Sequence, residues 1–131
     1  MKIQESAENY LETILILSQR QPFVRSIDIA TELDFSKPSV SVAMKNLRQN
    51  DLIVVDGEGH ISLTPAGLAI AAKVYERHTL FSDLLKRLGV DPKTAQEDAC
   101  RIEHVISQES FDAFRELFSR IKQQENKEAP A

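Results

Sequence analysis

The chain has 131 residues, 42% of them hydrophobic, which suffices for one packed domain or two small ones and excludes wholesale disorder. No run reaches the about 18 consecutive apolar residues of a membrane span, and Met1-Lys2-Ile3-Gln4-Glu5-Ser6 lacks the apolar core of a signal peptide. A single cysteine excludes an internal disulfide and fits a cytoplasmic protein, while a net charge of −4 argues against nonspecific nucleic-acid binding by the whole surface, though not against a local basic patch.

Residues 5 to 20 form the first predicted helix. Tyr10, Leu11, Ile14, Leu15 and Leu17 make an apolar stripe at helical spacing, and Glu5, Glu8, Asn9 and Glu12 occupy the other side. Gln21-Pro22 ends it, because the residue before proline avoids the helical region. Ser26 is the expected N-cap of a helix from Ile27 to Leu33, with Ile27, Ile29, Ala30 and Leu33 facing a core. Asp34-Phe35 is a turn. Ser36 caps a third helix, with Lys37-Pro38 in its first turn, carried to about Asn50 on Val40, Ala43, Met44 and Leu47.

Two short helices joined by a tight turn read as a helix-turn-helix. Its second helix opens Ser36-Lys37-Pro38-Ser39-Val40-Ser41, small and polar with one lysine, which suits approach to a major groove and its phosphates. The same residues also serve simply to cap and pack a helix. The stretch from Leu52 to Thr64 favours DNA. Leu52-Ile53-Val54-Val55 and His60-Ile61-Ser62-Leu63-Thr64 flank the Gly-containing loop Asp56-Gly57-Glu58-Gly59, the pattern of a hairpin. A helix-turn-helix with a hairpin directly after it is a winged helix. The wing tip is acidic, which is odd for a phosphate contact, and His60 offsets that only weakly. Between Arg20 and Asn50 five bases (Arg20, Arg25, Lys37, Lys45, Arg48) face three acids, so weak nonspecific binding and reliance on a dimer are expected. Arg25, Ser36, Lys37, Pro38, Ser39, Ser41 and Lys45 are the candidate DNA contacts.

Thr64-Pro65 starts a long helix that runs to about Leu88 and stops at Gly89. His78 lies within it, by default a solvated residue. Asp91-Pro92 starts the next helix, which contains Cys100-Arg101-Ile102-Glu103-His104. Cys100, Glu103 and His104 share one helical face and offer sulfur, oxygen and nitrogen to a divalent transition metal. A helix with a buried Cys and a surface His has the same spacing. Ser107 caps a last helix carrying Phe111, Phe114, Leu117, Phe118 and Ile121, a face expected in a core or a dimer interface. From Gln123 onward no apolar residue exceeds Ala or Pro, so residues 123–131 are expected to be a disordered tail.

Four stretches together resemble the diphtheria toxin repressor family of metal-dependent regulators, which includes the manganese transport regulators. They are Glu8-Asn9-Tyr10-Leu11-Glu12-Thr13-Ile14, Ser36-Lys37-Pro38-Ser39-Val40-Ser41, Arg77-His78 with Leu80, and Ala99-Cys100-Arg101-Ile102-Glu103-His104-Val105-Ile106-Ser107. The resemblance spans about residues 5 to 120. It implies a mainly α chain with a winged-helix DNA-binding domain at residues 1–72 and a helical metal-binding and dimerisation domain at 73–122. The SH3-like domain of larger members is not expected here. Residue by residue, Glu103 and His104 match ligand positions held throughout the family. His78 matches a ligand of both branches, and Glu12 a carboxylate ligand of the manganese branch. Cys100 matches a position that is Cys in the iron branch and Glu in the manganese branch. Asn9 departs from both branches, which have Asp or Met there. An ancillary site of the iron branch is eroded, with Ser82 and Gln96 at its positions. In the recognition helix, Ser36 and Pro38 match residues that touch thymine methyls, but Val42 replaces a glutamine.

The resemblance therefore implies a repressor that binds palindromic double-stranded operator DNA as a homodimer, with a metal restraining the two domains. A thiolate, two imidazoles and two carboxylates suit Fe(II) better than Mn(II), and they also admit Co(II), Ni(II) or Zn(II) in vitro. Thiolate and neutral imidazole are required, so activation is expected to weaken at low pH. Alternatives are a manganese-responsive regulator of the same family and a winged-helix regulator of a small organic ligand. An enzyme is not expected: the chain has no His-Glu-x-x-His, no phosphate loop and no nucleophile elbow.

Overall fold

The computed structural model describes residues 5–128. Its elements are α1 (Glu5–Arg20), α2 (Ser26–Leu33), α3 (Lys37–Gln49), β1 (Ile53–Val55), β2 (Ile61–Leu63), α4 (Pro65–Arg87), α5 (Pro92–Val105) and α6 (Gln108–Glu128). The chain divides into two compact units between Tyr75 and Glu76, within α4.

In the first unit, α1 places Leu11, Ile14 and Leu17 in a core with Ile29 of α2, Val40, Met44 and Leu47 of α3, and Ile53 and Ile61 of the hairpin. Leu11 and Ile29 are fully buried, so truncating either to Ala would cost about 2–5 kcal/mol. Ile27, expected in this core, is exposed instead. Ser26 is the first residue of α2 rather than its cap. The Arg25 N–H donates to the Asp28 carboxylate at 2.9 Å, so an acid in the first turn closes the helix start from inside. Asp34 ends α2 in the left-handed region at φ 56°, a conformation that Asp tolerates better than most residues. This turn sets α3, whose start is capped by Ser36 accepting from the Ser39 N–H.

The hairpin is antiparallel, with Ile53 opposite Leu63 and Val55 opposite Ile61. Its alternation puts Ile53 and Ile61 inside and Val54 outside. Beyond it, Thr64 caps α4 by accepting from the Gly67 N–H at 3.1 Å. Gly67 has a steric cause: a Cβ there would lie 2.0 Å from the Leu52 carbonyl oxygen. The backbone of α4 thus passes directly against the strand entry, and the hairpin completes a winged helix, as expected.

In the second unit, Leu80 and Phe81 of α4, Ala99 of α5 and Phe111 of α6 form a separate small core. Gly89 closes α4 at φ 92°, with the Val90 N–H on the Leu85 carbonyl and the Gly89 N–H on that of Lys86, a Schellman pattern. Asp91 caps α5 and Ser107 caps α6. The tail expected to be disordered is helical as far as it is described. α6 runs on through Glu128, while residues 129–131 lie outside the described residues. Gln, Glu and Lys are good helix formers even without a buried face. Here Arg87 pairs with Glu125, and Gln124 donates to Glu128 one turn on at 2.7 Å.

Candidate metal centre and nucleic-acid interface

The metal candidates of the second unit are brought together by two helices. On α5, one ligand atom each from Cys100, Glu103 and His104 lie within 4.8 Å of one another. α4 adds His78, whose Nδ1 stands 2.9 Å from Glu103 Oε2. His104 Nε2 stands 3.2 Å from Oε1 of the same carboxylate. His78 is therefore not the solvated residue its isolated position suggests.

Glu103 is the anomaly. Its side chain is wholly buried, yet neither carboxylate oxygen makes a hydrogen bond. The two imidazole nitrogens stand close to it without hydrogen-bonding to it. A buried carboxylate left this way costs about 1–3 kcal/mol or more, and buried charges are normally paired or bound to metals. A thiol, a buried carboxylate and an imidazole within 4.8 Å of one another, with a second imidazole beside the same carboxylate, are a donor set that fits a divalent transition metal. Glu12 and Asn9 lie one turn apart on α1 in the first unit, Glu12 buried and Asn9 half-buried.

On the winged-helix unit, Lys37, Pro38, Ser39, Ser41 and Lys45 are all exposed along α3, and Arg25 and Ser36 are exposed beside it. The Ser36 hydroxyl donates to that of Ser39 at 2.8 Å, so part of its polarity is used in capping. The wing holds a constellation that residue types alone do not reveal. His60 Nδ1 lies 3.1 Å from Asp56 Oδ2, and its Nε2 lies 3.0 Å from Arg25 Nη2. Arg25 can only donate, so Nε2 is placed to accept from it, and Nδ1 faces Asp56. Phe23 stacks on the same ring, centroids 4.2 Å apart. Asp56 also accepts from the backbone N–H groups of Glu58 and His60 at 2.8 and 2.9 Å. The His60 N–H above all, with smaller help from that of Glu58 and from the His60 ring, holds the Asp56 carboxyl below its ordinary range. The acid at the wing tip is thus a structural acceptor that folds the wing, and both ring nitrogens of His60 are occupied rather than turned to phosphate.

A winged helix in one unit and a transition-metal donor set in the other define a class: regulators whose DNA-binding element is paired with a metal site. Comparison with known proteins narrows it. Residues 2–61 match the iron dependent repressor N-terminal DNA binding domain, and residues 64–129 match the iron dependent repressor metal binding and dimerisation domain. The chain belongs to this family, the diphtheria toxin repressor family of metal-dependent transcriptional regulators. It is 35% identical over 117 residues to the transcriptional regulator MntR of Escherichia coli O6:H1, covering 89% of this chain and 75% of that protein. It is 30% identical over 122 residues to the HTH-type transcriptional regulator MntR of Shouchella clausii, covering 93% and 85%. Among solved structures, the manganese regulator SloR superposes with a TM-score of 0.71 at 28% identity, over 94% of this chain and 55% of that one. IdeR of T. acidophilum superposes with a TM-score of 0.77 at 26% identity, over 91% and 55%. The chain thus spans about half the length of these solved relatives.

Proposed function

We propose that this protein is a repressor that binds palindromic operator DNA as a homodimer when a divalent metal is held by His78, Cys100, Glu103 and His104. The observation that carries the reading is the buried, non-hydrogen-bonded Glu103 carboxylate set between two imidazoles, with a thiol beside it. A divalent metal bound there would supply positive charge to this carboxylate and to the Cys100 thiolate. Glu12, and Asn9 through its carbonyl, are the ligands that the family resemblance adds from the winged-helix domain. We place that domain at residues 1–72 and the metal-binding and dimerisation domain at 73–122. Ligands from both halves couple metal occupancy to the DNA-binding geometry. A coupling of about 1–3 kcal/mol changes operator affinity about 5–150-fold, and DNA raises metal affinity by the same factor.

On the DNA side, Arg25, Lys37 and Lys45 neutralise phosphates, and Ser36, Pro38, Ser39 and Ser41 line the approach of α3 to the major groove. Exposed Phe114 and Leu117 of α6, with Leu88 and Val105, supply apolar surface for the second copy. The thiolate-containing donor set favours Fe(II). Mn(II) is the second reading, supported by the relatives at 30–35% identity that carry the name MntR. The deciding experiment measures operator binding anaerobically with Fe(II), with Mn(II) and after exhaustive chelation. Metal-dependent tightening supports the reading, and equal affinity in all three refutes it.

A further inference from the structure

We infer that Arg77 is a positioning residue for the metal centre, fixing the backbone of Glu103 while its neighbour His78 meets the Glu103 side chain. The inference rests on the metal reading proposed for this site. Arg77 is only 7% exposed, and a buried guanidinium needs acceptors. Its two terminal nitrogens find them at one place, while Nε has no hydrogen-bond partner. Its Nη1 donates to the Glu103 carbonyl at 3.3 Å and to the Ile106 carbonyl at 3.0 Å, and its Nη2 donates to Gln108 Oε1 at 3.0 Å. The last carbonyls of a helix have no partner within it, and Glu103 is in the final turn of α5. Arg77 therefore caps α5 from α4. It also bridges to the first residue of α6, Gln108, which in turn donates to Asp112 at 2.8 Å.

The guanidinium is itself held. It lies 5.2 Å from the centroid of Phe111, a ring with no exposure. Arg115 covers the same ring at 4.9 Å and pairs with Glu76, next to Arg77, at 2.8 Å. Two consecutive residues of α4 thus meet one residue of α5, Arg77 bonding its main chain and His78 standing against its carboxylate. A sliding or turning of α5 would break the Arg77 bonds and shift the carboxylate from His78 together. Only a planar fork reaches two carbonyls and an amide oxygen at once; a lysine ammonium keeps the charge and the ring contact but not that span.

The test uses the full chain with Co(II) as the probe. Wild type, Arg77→Lys, Arg77→Met and, as a packing control, Phe111→Leu are compared. Apo melting, Co(II) affinity, and the Co(II) ligand-field and thiolate charge-transfer spectrum are read for each. Arg77→Lys should fold, bind Co(II) about 10–100-fold more weakly, as loss of a supporting contact to a ligand does, and show an altered spectrum. Phe111→Leu should melt earlier yet keep the wild-type spectrum. Wild-type affinity and spectrum in either folded Arg77 variant overturn the inference. So does failure of Arg77→Lys to fold, or a Phe111→Leu spectrum altered in the same way, since Arg77 would then act only in the framework. Failure of the underlying metal reading shows separately, as a wild-type protein that binds no Co(II) or a spectrum that survives Glu103→Ala.

Discussion

Glu103→Gln should change the stability of the protein in opposite directions with and without metal. Without metal, the native carboxylate has no hydrogen bond and no exposed surface. Removing its charge relieves a penalty of about 1–3 kcal/mol, and the new amide gains an N–H that can face His78 Nδ1, 2.9 Å from the present Oε2. Burial of the amide returns part of this, leaving a net gain of about 1 kcal/mol. For a chain of this size that raises the melting temperature by roughly 2–6 °C. With metal at about a hundred times its dissociation constant, the wild type gains about 2.7 kcal/mol by mass action, and the variant loses most of that gain because an amide oxygen is a poor replacement for a carboxylate. The two melting curves should therefore cross: variant above wild type in chelator, below it in metal. The measurement is calorimetric melting in chelator and in metal. A variant that is less stable than wild type in chelator, yet equally stabilised by metal, would refute the assignment of Glu103 as an unsatisfied ligand.

Cys100→Glu should raise affinity for Mn(II) relative to Co(II), because an oxygen ligand replaces a soft sulfur; an unchanged ratio in competitive titration removes the argument for Fe(II). Lys37→Ala should weaken operator binding at all sequences and lower the salt slope by about one, as expected for one lost phosphate contact. Its metal affinity without DNA should stay at the wild-type value, and a large loss would count against assigning α3 to DNA. Asp56 gives the pH prediction. Its folded-state pKa is lowered, so its contribution to the wing is present above the ordinary Asp range of about 4 and is lost as pH falls through the lower folded value. Amide resonances of Glu58 and His60 should shift cooperatively in that acid window, and Asp56→Asn should abolish the transition. Persistence of the same transition in the variant would assign it to another group.

The parts of the fold readable from the sequence are those set by neighbours a few residues apart. The stripes of α1 and α3, the cap at Ser36, the Thr64-Pro65 start and the Gly89 stop all come from local spacing, and all stand in the structure. The i, i+3, i+4 spacing of Cys100, Glu103 and His104 belongs to the same class. Features that depend on distant partners are not legible in this way. The acid at the wing tip looks wrong for DNA because its partner network includes Arg25, 35 residues from His60. Ile27 fits a core-facing pattern but is exposed, since an eight-residue helix has only a narrow buried side. The continuation of α6 past Gln123 is hidden because the apolar content falls there while helix propensity does not.

Arg77 shows why the spacing of ligands is only half of a metal site. Cys100, Glu103 and His104 align on any helix with this sequence, but one helix can present them at any depth and rotation. The height of Glu103 against His78 is fixed by an arginine whose acceptors on α5 and its C-cap are main-chain carbonyls. Carbonyls carry no residue identity, so no motif announces them, and the ligand face reads clearly while its support does not. The adjacency of Arg77 and His78 then has a physical cause. Side chains of successive helical residues diverge by about 100°, so one can hold the frame of α5 while the other meets the carboxylate that the frame presents. Inserting one residue between them would keep both residue types and destroy the arrangement.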